Sequence, residues 1–265
     1  MPRAKVNTIG LYYEVHGEQN RDWLVLIGIL GFDSSLWQFQ VPEFAKEYRV
    51  LVFDNRGVGR SDKPDVPYSI KMMADDTVGL MDQLGIKKAH IVGSSMGGFI
   101  AQEMGINYVE RVRSLTLAST SAHYTMYLTP ADIIKGLKEK GMEELNIKLN
   151  LYFGFTDDFL RNEELVKMVI ETLLNYPYPQ PLKAYIRQYQ ACREFDARDR
   201  LHKIRAPTMV LVGNKDVALP PYYSKELAEK IPGAELLVLD GGGHSFNFEI
   251  PDKFNKAVLD FVRKH

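Results

Sequence analysis

The stretch HIVGSSMGGFIAQ, His90 to Gln102, sets two serines side by side between glycines. The pattern G-x-S-x-G exposes a serine on a tight turn from strand to helix, and one frame fits it: Gly93, Ser94, Ser95, Met96, Gly97. Centred on Ser94, the pattern would need glycine where Val92 and Met96 stand. Ser95 is therefore the candidate nucleophile. A residue at the apex of such a turn has a strained backbone, and its neighbours must carry almost no side chain for strand and helix to pass close together. Gly93, Gly97 and Gly98 meet that need. The apolar run AHIVG before the turn reads as a strand, and FIAQEMGINY after it as a helix.

Around this turn, short apolar runs alternate with amphipathic ones, the pattern of a parallel sheet covered by helices. The expected strands are WLVLIG (23–28), RVLVFD (49–54), AHIVGS (89–94), VRSLTLAS (112–119), TMVLVGN (208–214) and AELLVLD (234–240). Ser69 is placed to cap a helix with Ile70, Met73, Ala74, Met81 and Leu84 on its apolar face, and Gly85 ends it. Pro251 and Asp252 open a last helix that buries Phe254, Val258, Phe261 and Val262. The alternation breaks between about Ser121 and Arg205. The expected division is a core of residues 1–120 and 206–265 and a helical insertion of residues 121–205. Seven of the 14 tyrosines fall in the insertion (Tyr124, Tyr127, Tyr152, Tyr176, Tyr178, Tyr185 and Tyr189). They are expected to pack it together, and some to line a pocket over the sheet edge.

Composition excludes several classes of function. Hydrophobic content of 45% and charged content of 25% are those of a globular chain, not of a disordered segment or a coiled coil. A formal charge of -1 leaves no electrostatic footprint for nucleic acid or anionic membrane, so neither is an expected partner. One cysteine, Cys192, cannot form an intramolecular disulfide, which points to a reducing compartment. The N-terminal MPRAKVNTIG lacks a signal-peptide core, and the longest apolar run, Trp23 to Phe32, is too short to span a bilayer. The expectation is a soluble, cytoplasmic protein. There is no CxxC, no HExxH and no P-loop, since RGVGRS lacks the required lysine and length. Neither metal nor cofactor is expected.

A serine is a weak nucleophile without a base and a group that orients the base. His244 follows a strand and a three-glycine turn in LDGGGHSFNFEIPDKF, and Asp216 follows another strand in LVGNKDVALPP. Open α/β sheets bind ligands outside the carboxyl ends of their strands, where Ser95, Asp216 and His244 are all expected. His16, His90, His123, His202 and His265 lie in no motif and read as surface or structural. Asp54 reads as architectural, Cys192 as packing, and Asp75, Asp76 and Asp82 as a solvated helix face.

The chain resembles the α/β-hydrolase fold, and within it the small capped esterases and the 3-oxoadipate enol-lactonase branch. The segments that carry the resemblance are FDNRGVGRSDKP (53–64), GSSMGG (93–98), VRSLTLAST (112–120), APTMVLVGNKDVALPP (206–221) and GGGHSFNFEIPDKF (241–254). It implies a mostly parallel sheet with a helical cap. It also implies that Ser95 attacks a carbonyl, His244 carries the proton and Asp216 orients His244. One segment departs from the pattern. Where most members have His-Gly-x-Gly, this chain has Gly28, Ile29, Leu30, Gly31. In the family that His holds the oxyanion loop in shape, while backbone N–H groups are the donors; by alignment they are those of Leu30 and Met96. Enol-lactonases of this fold also lack the His-Gly pair and keep a Leu-Gly step, and a loosened loop in a simple esterase accounts for the sequence equally well. The leading expectation is a serine hydrolase of carboxylic esters. Behind it stand an enol-lactonase, a carbon-carbon bond hydrolase or perhydrolase, and a non-catalytic binding protein on the same scaffold.

Overall fold

Alternate residues of a strand face opposite sides of a sheet, so a strand buried on both faces reads as a continuous apolar run. The computed structural model, which describes residues 2–124 and 130–265, forms a strand at each of the six expected runs. Tyr127 lies outside these described residues. Two strands precede the six: β1 (Arg3–Val6) and β2 (Ile9–His16) make a hairpin whose turn holds Asn7 at a φ of 51°. The expected strands follow as β3 (Trp23–Ile27), β4 (Arg49–Phe53), β5 (Ala89–Ser94), β6 (Val112–Ala118), β7 (Thr208–Gly213) and β8 (Glu235–Leu239). Their order across the sheet is β1-β2-β4-β3-β5-β6-β7-β8. The pairings of β2 with β1 and β4 are antiparallel, and all the others are parallel.

The helices in chain order are α1 (Val41–Phe44), α2 (Ile70–Gln83), α3 (Met96–Asn107), α4 (Pro130–Glu139), α5 (Glu143–Gly154), α6 (Asp157–Leu160), α7 (Glu163–Leu174), α8 (Leu182–Arg193), α9 (Pro221–Lys230), α10 (Phe246–Glu249) and α11 (Pro251–Val262). Period-two alternation splits the core into two layers. Val25, Ile27, Leu51 and Ile91 pack with Met73 and Met81 of α2 and with Ile100 and Met104 of α3. Leu24, Leu26, Val50 and Val52 point the other way, onto Trp37, Phe44 and the expected Phe254, Val258, Phe261 and Val262 of α11. Ser69 caps α2 as read, its Oγ accepting the Met72 N–H at 3.1 Å, and Gly85 adopts a φ of 68° just past the helix.

One local expectation changes. Asp76 is not on a solvated face: it is 2% exposed, and its carboxylate accepts two hydrogen bonds from the buried Arg56, from Nε at 2.5 Å and Nη2 at 2.8 Å. Three residues beyond Met73, it falls within the inward stripe, where a charge is tolerated because a cation meets it. Asp75 and Asp82 do lie toward solvent, paired with Lys71 and Arg111. The apolar run of β8 is the outer edge of the sheet, with Leu236, Leu237 and Val238 exposed.

Between β6 and β7 the described residues form the five helices α4 to α8. A β-bridge between His123 and Asp196 draws together the two ends of this segment. Inside it, Tyr185 and Tyr189 are buried with Ile134, and Phe195 stacks on Phe99 of α3 with ring centroids 4.5 Å apart. Packing is thus the fate of several lobe aromatics, while Tyr152 stays exposed.

Candidate active site

Of the two neighbouring serines, Ser94 ends β5 and is 1% exposed, while Ser95 stands at the turn into α3. Ser95 adopts a φ of 51° and a ψ of -116°, a conformation that costs on the order of 1–3 kcal/mol and persists only when its surroundings over-determine it. The surroundings do so. The Ser95 N–H donates to the Ala118 carbonyl of β6 at 2.9 Å, and the Ser95 carbonyl accepts the Thr120 hydroxyl at 2.9 Å. The three glycines permit the close approach: a Cβ on Gly93 would stand 2.2 Å from the Gly97 carbonyl oxygen, and one on Gly97 would stand 2.1 Å from that of Ile27. A Cβ on Gly98 would meet the Thr120 side chain at 2.5 Å.

Asp216 and His244 leave the same edge of the sheet as Ser95, from the ends of β7 and β8. The glycine turn after β8 crosses the end of β7 so closely that a Cβ on Gly213 would lie 2.1 Å from the Gly242 carbonyl oxygen. This crossing brings His244 Nδ1 within 2.9 Å of Asp216 Oδ2. The other oxygen, Oδ1, accepts the N–H groups of Ala218 at 3.0 Å and Leu219 at 2.8 Å, so the carboxylate is fixed on both sides. With Asp216 as acceptor, Nδ1 carries the hydrogen and Nε2 is left as the free ring nitrogen. Burial opposes the charged imidazolium most strongly, but the charge of Asp216 and its hydrogen bond together outweigh burial, and the His244 pKa lies above the ordinary imidazole value.

The loop after β3 carries Gly28, Ile29, Leu30 and Gly31, and the start of α3 rests against it, since a Cβ on Gly97 would also meet the Gly28 carbonyl oxygen at 2.9 Å. Among the described residues, neither the Leu30 nor the Met96 N–H donates to a protein acceptor. Met96 is the first residue of α3, where a helix leaves its N–H groups unpaired. The Gly31 N–H, by contrast, donates to Gln188 Oε1 at 3.2 Å.

His90, Asp54 and Cys192 are all buried. His90 is buried against Ser114 and edge-on to Tyr48, and burial pulls its pKa down to about 4. Asp54 is fully buried and accepts hydrogen bonds from Ser34 and Arg60, which tie down the turn after β4. Burial pushes the Cys192 thiol pKa up, away from reactivity. Among the described residues no group of three or more His, Cys, Asp or Glu is arranged to hold a metal ion, and no helix is long and apolar enough to cross a membrane. A surface hollow of about 620 Å³ lies between α4 and α8, lined by Asp132, Lys135, Glu139 and Arg193 and by none of Ser95, Asp216 and His244.

Sequence reasoning missed two residues that brace the site. Glu249 accepts the Gly243 N–H beside His244 at 2.7 Å and the Thr156 hydroxyl at 2.8 Å, tying the histidine loop to the segment between α5 and α6. Gln188 links α8 to the Gly28–Gly31 loop. Its signal was present: it sits in the i, i+3, i+4, i+7 stripe of Tyr185, Tyr189 and Cys192, a polar residue among buried ones.

Residues 23–251 match the family model of the alpha/beta hydrolase fold. The chain is similar to a putative carbamate hydrolase, RutD, of Azorhizobium caulinodans, with 31% identity over 98% of each chain. It is similar also to 3-oxoadipate enol-lactonase 1 of Acinetobacter baylyi, with 28% identity over 96% of this chain and 93% of the other. Among solved structures, the enol-lactonase from Burkholderia xenovorans LB400 matches with a TM-score of 0.89 at 31% identity, covering 99% of this chain and 100% of that one.

Proposed function

The chain belongs to the α/β hydrolase family, and on that footing we propose that it cleaves carboxylic esters through an acyl-enzyme intermediate. Ser95 Oγ attacks the ester carbonyl and His244 Nε2 takes its proton, while Asp216 holds Nδ1–H and the imidazolium that forms. The oxyanion is received by the Leu30 N–H of the loop after β3 and by the Met96 N–H at the N-terminal end of α3, whose dipole favours negative charge. Collapse of the tetrahedral intermediate breaks the ester C–O bond, and His244 returns the proton to the departing alcohol. Water, deprotonated by the same ring, then releases the acid. The described helices between β6 and β7 cap the site, and their aromatics favour an apolar acyl group of small to medium size.

The observation that carries the reading is the His244–Asp216 hydrogen bond at 2.9 Å, on the sheet edge where Ser95 is held at a φ of 51°. Its test is the hydrolysis of a p-nitrophenyl ester series. Ser95→Ala is expected to abolish turnover and Ser94→Ala to retain most of it; the reverse pattern would overturn the assignment. A second reading, hydrolysis of an enol-lactone, is favoured by the likeness to the Burkholderia enol-lactonase and by the Leu30-Gly31 step without a preceding His-Gly pair. A cyclic ester needs the same attack, but its leaving group stays attached to the acyl chain. A lactone turned over faster than every p-nitrophenyl ester, with both activities lost in Ser95→Ala, would move the assignment to this reading.

A further inference from the structure

We propose that Gln188 is a positioning residue for the oxyanion loop, supplying from α8 the anchor that the loop lacks in its own sequence. The inference rests on the reading of Ser95 and Leu30 given above.

Gln188 is 0% exposed. A primary amide buried this completely is costly unless its polar atoms are paired, and here both ends are. Oε1 accepts the Gly31 N–H at 3.2 Å and the Gln180 Nε2 at 2.9 Å, while Nε2 donates to the Arg56 carbonyl at 2.8 Å. Gln180 donates in turn to the Gly57 carbonyl at 3.0 Å. One side chain therefore joins three segments: the loop after β3, the turn after β4 and helix α8. The β4 side of the joint is rigid, because the Arg56 guanidinium is locked on Asp76.

The consequence for the site follows from which N–H groups are occupied. Gly31 has a φ of 82°, and its N–H is spent on Gln188, so it does not face the substrate. Fixing that N–H fixes the peptide plane between Leu30 and Gly31. The peptide before it, which carries the Leu30 N–H, then has little freedom left. A donor aimed in advance stabilises the developing oxyanion without reorganisation, and a misplacement of an ångström weakens it severely. Loss of Gln188 is thus expected to act on the transition state more than on substrate binding.

The test compares wild type, Gln188→Met, Ser95→Ala and Lys183→Met on the best ester or lactone. It reads kcat, KM and melting temperature, together with the Ki of a trifluoromethyl ketone whose adduct places an oxyanion in the hole. Gln188→Met keeps the length of the side chain and removes its hydrogen bonds. Its kcat is expected to fall by about ten- to a hundredfold with KM within about threefold, and Ki is expected to rise in parallel with the loss in kcat. Lys183→Met, on the same helix but exposed and paired with Asp65, is expected to keep wild-type kcat and Ki. If Gln188→Met does not fold, Gln188→Asn keeps the amide but withdraws it by one methylene, and the same fall in kcat and rise in Ki are expected. Unchanged kcat and Ki in a folded Gln188 variant, with Ser95→Ala inactive, would overturn the Gln188 role alone. Turnover that survives Ser95→Ala would overturn the catalytic reading and this inference with it.

Discussion

His244 Nδ1 lies 2.9 Å from Asp216 Oδ2, and the second oxygen of that carboxylate is held by the N–H groups of Ala218 and Leu219. The carboxylate cannot rotate away, so the imidazole has one orientation and one tautomer. In Asp216→Asn the amide can present its N–H to Nδ1 and stabilise the wrong tautomer. The expected outcome is a fall in kcat on the order of a thousandfold or more, with the melting temperature little changed. Steady-state kinetics beside thermal unfolding checks it, and unchanged turnover would remove the orienting role.

The same pair sets a pH dependence. Because the His244 pKa is raised, the ring is protonated and unable to act as base below that value. The acid limb of kcat/KM is expected to have an apparent pKa above about 6.5, the ordinary imidazole value. For stability the sign is opposite. Protonation of His244 favours the folded chain fully below the ordinary value, and that contribution is lost as pH rises through the raised one. A kcat/KM profile with its acid limb below the ordinary value would contradict the coupling to Asp216.

Arg56 and Asp76 meet as a buried bidentate ion pair, with side chains 4% and 3% exposed. Removing one partner leaves a buried charge uncompensated, so Arg56→Met or Asp76→Leu alone is expected to cost about 3–5 kcal/mol in urea unfolding. Replacing both with apolar residues of similar volume is expected to recover most of that loss. Additive losses in the double variant would show that the pair does not act as a unit.

Asp76 also shows where the sequence stopped being legible. Apolar periodicity located α2 and its cap, since each depends on neighbours within a turn or two of the chain. The partner of Asp76 lies 20 residues away on another segment, and no local pattern reveals it. The same reason hid Glu249, whose hydrogen bond spans 93 residues, while Gln188 stood out locally as a polar residue in a buried stripe but its partner lies 157 residues away. The approach of Asp216 to His244 was within reach of the sequence because both follow apolar strands, His244 after a glycine turn as well. The β1–β2 hairpin gave little signal: β1 keeps one buried residue, Val6, beside the half-buried Ala4 and two exposed cations.

The glycines around the turn make a contrast that is open to test. Gly97→Ala would push a methyl to 2.1 Å from the Ile27 carbonyl oxygen, a backbone atom that cannot yield without moving β3. It is expected to unfold the protein or to displace the loop bearing Leu30, with activity lost. Among the described residues, apart from its chain neighbours and its own helical backbone, Gly136 inside α4 has no atom within 4 Å of such a methyl, and Gly136→Ala is expected to stabilise the helix by about 0.5–1 kcal/mol with kcat unchanged. Thermal unfolding and kinetics on the two variants decide it. A Gly97→Ala protein with wild-type stability and rate would mean that α3 does not approach β3 as described.

His90 predicts how the fold fails in acid. Its ring is 2% exposed, Nδ1 lies 2.8 Å from the Ser114 hydroxyl, and burial lowers its pKa to about 4. In the unfolded chain the ring titrates near 6.5, so between that pH and about 4 the unfolded state binds the extra proton. The neutral ring therefore favours the fold above the ordinary value, and this contribution is lost as pH falls through the window, by on the order of 3 kcal/mol in total. Urea midpoints of wild type are expected to fall across the window, and those of His90→Gln, which cannot take up a proton there, to fall less steeply. Parallel pH profiles for the two proteins would show that another group governs acid unfolding.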